Sequence, residues 1–312
     1  MQYKKLGNRG PLVSTIGFGA WAIGGMHWGK TDDEVSIQAL HAAIDQGVTL
    51  IDTADVYGFG HSEELISRVI RERGKENLVI ATKAGSDFYN ANPADDDGYG
   101  AITPNYSKDY LIRAAEKSLK RLKVDALDIL QLHSPELSLL EMDEPWLALE
   151  NLKRDGKIKY AGLSIKSFEE SEQAPLLDQH HDILDCIQVR YNLLEREAEK
   201  VLFPKALEHG IGVIVRIPLL FGLLTGKFDR NSKFGEDDHR RMNLSPEKLD
   251  SYLEDLEGHQ NLYDTYREQT KTQVSLRFAI THPACQTAIP GAKTLKQVKE
   301  NCSSSDLGPV EI

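Results

Sequence analysis

The sequence predicts one α/β domain over residues 1–312, a (β/α)8 TIM barrel, and three observations carry that expectation. Eight short apolar runs are each followed by a helix-like segment, from one end of the chain to the other. Several runs are continuously apolar rather than alternating, which suits parallel strands covered on both faces. The glycine turn GxGxxG of an open doubly wound sheet is missing, because Gly17-Phe18-Gly19 and Gly58-Phe59-Gly60 lack the third glycine.

The chain opens on residues 3–6 and 12–13 around the turn 7–11, an N-terminal β-hairpin expected to plug the barrel floor. Barrel strands are expected at 15–19, 48–51, 78–82, 127–132, 160–163, 186–189, 212–215 and 287–289. After the first, Thr31 and Glu34 read as a capping box, with Asp32 and Asp33 at the positive end of the helix dipole. Val35, Ala39, Leu40, Ala43 and Ile44 then form an apolar stripe that Gly47 ends. Ser62 is placed to cap a second helix, which buries Leu65, Ile66 and Val69 and stops near Gly74. Ser107 opens a third, with Leu111, Ala115, Leu119 and Leu122 on one face; Asp143 and Pro145 open a fourth, ending at Gly156. Two polar stretches break the rhythm: 85–106, with Asn92-Pro93 and Asp95-Asp96-Asp97, and 227–257. Long loops at the C-terminal face of barrel strands are where substrate contacts concentrate.

A net charge of −11 disfavours nucleic acid and anionic membranes as partners, while leaving room for a local basic pocket. The first ten residues hold no apolar stretch fit for a signal peptide, and no run approaches a membrane span, so a cytoplasmic protein is expected. Cys186, Cys285 and Cys302 are odd in number and far apart, as buried free thiols would be. His27, His61, His180, His181 and His282 show no metal-ligand spacing, and no metal is expected.

Four polar residues fall where strands two to four end: Asp52, Tyr57, Lys83 and His133. Singly, each has an ordinary role, as a turn cap, a solvated lysine, a loop-packing ring or a strand end. In a barrel these positions converge on one face, so four together point to a shared pocket.

The stretches LGNRGPLVSTIGFGAWAIGG, LIDTADVYGFGHSEELI, LVIATKAG, SLKRLKVDALDILQLHSP, IQVRYNLLERE, PLLFGLLTGKF and AIPGAKTLKQVKEN resemble the aldo-keto reductase family, in family order and over essentially the whole chain. The resemblance implies NADPH-dependent carbonyl reduction with a tetrad of Asp52, Tyr57, Lys83 and His133. Hydride transfer leaves negative charge on oxygen, which must be stabilised and protonated. A free phenol titrates near ~10 and is a poor acid at neutral pH; Lys83 is expected to lower the pKa of Tyr57, Asp52 to fix Lys83, and His133 to bond the oxyanion. The family also includes β-subunits of potassium channels, so a slow cofactor-sensing subunit is an alternative, as is alcohol or polyol oxidation on the same fold.

By the same resemblance, Ser164 and Gln188 hold the nicotinamide carboxamide. Gly291, Ala292, Lys293, Gln297 and Asn301 surround the adenosine 2′-phosphate and adenine, where Lys293 near a helix start favours NADPH. Lys227 and Arg240 reach the pyrophosphate or 2′-phosphate, and further cofactor contacts fall on Gly19, Ala20, Trp21, Ile217, Leu219, Gly222 and Leu223. Trp21, Trp28, Phe88 and Tyr89 are candidates for an apolar mouth that takes a small-molecule carbonyl substrate. The chain departs from the commoner pattern twice. Ile165 follows Ser164 where many members have asparagine, and Arg216 stands where many place an aromatic against the nicotinamide. A guanidinium can offer a flat surface instead, or it can turn toward a pyrophosphate or carboxylate.

Overall fold

The computed structural model describes residues 1–25, 28, 31–89 and 102–311; His27, Asn92-Pro93 and Asp95-Asp96-Asp97 lie outside the described residues. Strands β1 (Tyr3–Lys5) and β2 (Leu12–Ser14) pair antiparallel as the expected hairpin. Gly7 turns it with φ +63°, and a Cβ there would stand 2.4 Å from the Gly212 amide nitrogen, so only glycine permits this seat. Leu6 and Val13 pack with Leu50, Ala81, Ile129, Cys186, Ile214 and Ile289 in one buried cluster, which makes the hairpin the barrel's floor.

The barrel strands follow in chain order: β3 (Phe18–Gly19), β4 (Leu50–Asp52) and β5 (Val79–Ala84). A small antiparallel pair, β6 (Ser86–Asp87) with β7 (Thr103–Pro104), interrupts them within the polar stretch 85–106 that breaks the rhythm of the sequence. Then come β8 (Leu127–His133), β9 (Ile158–Ser164), β10 (Cys186–Arg190), β11 (Gly212–Arg216) and β12 (Cys285–Ala288). Each pairs in parallel with the next, and β12 returns to the first: the Gly17 amide donates to Ala288 O at 2.8 Å, and the Ala288 amide donates to Thr15 O at 3.0 Å. Isolated parallel bridges at Ile16–Ala288 and Gly19–Gly291 complete the closure. Helices α1 (Asp33–Asp45), α2 (His61–Arg73), α3 (Lys108–Leu122) and those that follow cover the outside, and the large apolar core lies between them and the sheet. No described helix is long and apolar enough to cross a membrane.

The differences from expectation have physical causes. The strand expected at 15–19 is regular only over Phe18–Gly19, and the last starts at Cys285. Asp52, Lys83, His133, Ser164 and Arg216 lie inside their strands rather than beyond them. Polar side chains end an apolar run, but their backbones still carry ladder hydrogen bonds. Asp32, not Thr31, caps α1, accepting from the Val35 amide at 3.1 Å. Ser62 lies inside α2, buried, where it accepts from Thr53 Oγ1 at 2.8 Å and donates to Ala20 O at 3.1 Å. It ties the helix to two strand ends instead of capping it. Ser107 stands at the start of α3 but bonds Asn105 Oδ1.

Candidate active site

Asp52 closes β4 and Lys83 sits near the end of β5, its neighbour in the sheet, so both side chains meet at the C-terminal mouth of the barrel. Lys83 Nζ donates to Asp52 Oδ1 at 2.6 Å, to Thr53 O at 2.7 Å and to the Tyr57 hydroxyl at 3.4 Å. The second Asp52 oxygen accepts from Gln188 Nε2 at 2.6 Å and Gln131 Nε2 at 3.3 Å. Four strands thus converge on one carboxylate. Burial opposes charge on Lys83, but Asp52 and Tyr57 outweigh it and hold the ammonium above its ordinary pKa.

Tyr57 lies on the turn between β4 and α2, under Trp21, with ring centroids 6.1 Å apart and near-parallel planes. Its other neighbour is His133, edge-to-face at 5.8 Å. The Tyr106 hydroxyl donates to His133 O at 2.6 Å and fixes that strand end. Asp52 and Lys83 are sealed, whereas Tyr57, His133 and Arg216 keep partial exposure at the mouth. Lys83 acts on the Tyr57 pKa in the expected direction but does not set the balance. Lys83 does pull it down, but burial is the larger influence, and the phenol lies above its ordinary value. It is therefore protonated throughout the neutral range. Burial, then Lys83 and Arg216, push His133 well below its usual pKa, so it is neutral, and among the described residues its Nδ1 has no hydrogen-bond partner.

Arg216 ends β11 beside Arg190 of β10. Its Nη2 donates to Ile165 O at 3.0 Å and Ser167 Oγ at 2.8 Å. Ser164, one residue before Ile165, shares a 3.0 Å hydrogen bond with Ser134. Just past β11 the backbone is strained: Ile217, Leu220 and Phe221 have φ of 56°, 45° and 56°, and Gly222 has 96°. Such strain concentrates where a ligand is held. Leu219, Gly222 and Leu223 belong to this segment. Gly19 lies at the barrel closure, bridged to Gly291; a Cβ there would stand 2.6 Å from Ile289 O. The Ala20 amide donates to Asp52 O at 2.8 Å.

A second polar group lies at the edge of the mouth. Lys227, Arg240 and Lys293 come close enough that burial and one another's charges lower both lysines, with Asp238 as the acid paired to Arg240. Lys293 Nζ donates to Trp28 O, its ammonium lies 5.7 Å from the Trp28 ring, and Arg240 lies 5.5 Å from it. Gln297 Oε1 accepts from the Lys293 amide at 2.8 Å, and Asn301 donates to Gly291 O at 3.4 Å, so both shape this loop. Ala292 is buried beneath it. Three cations against Asp238, which is paired to Arg240, and the more weakly felt Asp237 fit an anionic group such as a phosphate.

Of the four aromatic candidates, Trp21 and Trp28 meet edge-to-face at 5.3 Å beside Tyr57. Phe88 and Tyr89 share an apolar cluster with Tyr57: Phe88 stacks on Phe59, and Tyr89 packs toward Tyr110 under Lys117 and Arg121 of α3. Sequence reading missed Gln131 and His239. Gln131 precedes His133 by two residues and shares its strand face, a signal that alternation supplies. His239 stacks on Trp21 at 4.6 Å and comes from the long loop after β11, where sequence gives no such signal. Cys186, Cys285 and Cys302 are free and buried, which raises all three thiols. Among the described residues one grouping has metal-ligand types in reach, Asp178, Glu208 and His209 on the surface, where Asp178 already pairs with Lys205 and His209.

A parallel barrel with acid, base and cation collected under its C-terminal mouth is the architecture of an enzyme. Residues 15–311 match the aldo/keto reductase family, and the chain belongs to that family. It is 33% identical to the aldo-keto reductase YhdN of Bacillus subtilis (strain 168), over 96% of this chain and 87% of that one. It is 30% identical to a probable voltage-gated potassium channel subunit beta of Arabidopsis thaliana, over 99% and 93%. The structure of the glycerol dehydrogenase AKR11B4 from Gluconobacter oxydans superposes with TM-score 0.81 at 30% identity, over 99% and 91%.

Proposed function

We propose that this protein reduces aldehydes or ketones to alcohols with NADPH, and that Tyr57 donates the proton. What supports this most is the placement of one buried ammonium, Lys83, against both Asp52 and a mouth-facing Tyr57 hydroxyl. Reduced nicotinamide supplies the hydride when bound. As negative charge grows on the carbonyl oxygen, the Tyr57 hydroxyl gives it a proton, and Lys83 stabilises the phenolate left behind. Asp52 keeps Lys83 charged and fixed. Neutral His133 is placed to donate a hydrogen bond to the same oxygen. Trp21 and Trp28 form an apolar wall for the substrate. Ser164 and Gln188 are assigned to the carboxamide, the strained segment after β11 to the pyrophosphate, and Lys227, Arg240 and Lys293 to the phosphates, with Lys293 selecting NADPH over NADH.

A raised phenol pKa also bears on direction. The proton-loaded form serves reduction near neutrality, whereas alcohol oxidation needs the phenolate, which is scarce there. The glycerol dehydrogenase neighbour makes oxidation at alkaline pH the second reading. The test is NADPH oxidation across aldehydes, ketones and sugars, with alcohol oxidation by NADP⁺ run alongside. Turnover of carbonyls at neutral pH supports the proposal; cofactor binding without steady turnover of any of them would favour the sensing role instead.

A further inference from the structure

We infer that Arg216 makes this site bind reduced nicotinamide in preference to oxidised nicotinamide; the inference rests on the cofactor placement proposed above. The guanidinium is fixed by two hydrogen bonds, to Ile165 O and Ser167 Oγ, immediately after Ser164. That anchorage sets it next to Ser164 and on the strand beside Gln188, the two residues assigned to the carboxamide. The alternative that it turns to a carboxylate is not what the side chain does: among the described residues no acid forms an ion pair with it, and its Nε is buried without a partner. Arg190, its neighbour across the ladder, is by contrast paired with Glu195. Arg216 is also close enough to Tyr57 and His133 for its charge to be felt by both.

A cation held without a direct ion pair in a partly desolvated pocket interacts strongly with a charge beside it, although Glu170 and Asp52 lie near enough to offset part of the charge of Arg216. Reduced nicotinamide is neutral and oxidised nicotinamide is cationic, so the two forms differ by one positive charge at the ring. Arg216⁺ leaves the first untouched and repels the second. The same charge favours the negative oxygen that forms on the substrate, so the residue biases both ends of hydride transfer toward alcohol formation. Arg216 is a binding and positioning residue here, and it has no part in proton transfer.

The experiment is equilibrium binding of NADPH and NADP⁺ to wild type, Arg216→Gln and Arg216→Lys. Glutamine removes the charge and is too short to hold both Ile165 O and Ser167 Oγ, whereas lysine keeps the charge but loses the fork, so the two variants separate charge from anchorage. Wild type is expected to bind NADPH several-fold tighter than NADP⁺. Arg216→Gln should narrow that ratio roughly fivefold, through tighter NADP⁺ binding, while Arg216→Lys keeps most of it. An unchanged ratio in Arg216→Gln, or equal losses for both cofactors, overturns the inference alone. Equal affinity of wild type for the two forms overturns it even if the glutamine variant does not fold. A wild-type protein that binds neither cofactor overturns the site assignment and this inference together.

Discussion

Lys83 Nζ stands 2.6 Å from Asp52 Oδ1, and the two side chains are 1% and 3% exposed. Removing one partner of such a pair strands the other charge in the interior, whereas removing both does not. Lys83→Met is expected to lose about 3–5 kcal/mol of stability. The double variant Asp52→Asn/Lys83→Met should be more stable than the sum of the single losses. Denaturant unfolding of the four proteins measures the coupling, and strictly additive losses would contradict the buried pair.

Lys293 is half-buried between Trp28, Arg240 and Lys227, an arrangement that favours an anion over water. Lys293→Ala is expected to weaken NADPH binding by about 1.5–3 kcal/mol, the range for a hydrogen bond to a charged group. NADH, which lacks the 2′-phosphate, should bind almost as before. Equal losses for both cofactors, measured by titration, would show that Lys293 holds Trp28 in place and does not read the phosphate.

Asp55 is fully buried two residues before Tyr57, and among the described residues its carboxyl has no hydrogen-bond partner of good geometry, only a weak approach of the Val56 amide. Burial, then the neighbouring Glu63, hold its pKa well above the usual carboxylate range, with Arg121, the Val56 amide and Lys83 pulling more weakly the other way. The unfolded chain ionises this group near ~3.9. The stability this offset contributes is fully present below that pH and is lost as pH rises toward the folded value. Asp55→Asn should therefore match wild type near pH ~4 and exceed it at pH ~8 by an amount on the order of 1 kcal/mol. Thermal unfolding across that range is the check; a difference that does not grow with pH would mean that Asp55 is ionised in the fold.

The barrel and its tetrad were legible because apolar runs mark parallel strands and because polar residues stop those runs at one end of the sheet. Asp52, Lys83 and His133 all interrupt an apolar run in that way. Strand ends were misjudged by the same logic, since Ser164 and Arg216 stay in the ladder after hydrophobicity has ended. Balances of opposing effects were not legible. The Tyr57 pKa depends on burial exceeding the pull of Lys83, and burial is a property of the packed turn, not of residue types. Nor was the approach of His239 to Trp21, which joins residues 218 positions apart through a loop without periodicity.

In the proposed mechanism the Tyr57 hydroxyl, held beside Lys83, gives the substrate its proton. Tyr57→Phe removes one oxygen from a ring otherwise packed between Trp21 and His133. The most direct measurement is single-turnover oxidation of bound NADPH by an aldehyde that wild type reduces, with NADPH affinity measured on the same samples. Proton donation by Tyr57 predicts unchanged NADPH affinity and a hydride-transfer rate lower by about 10²–10⁴-fold, the usual contribution of a positioned acid. A phenylalanine variant that reduces the aldehyde at the wild-type rate would contradict it.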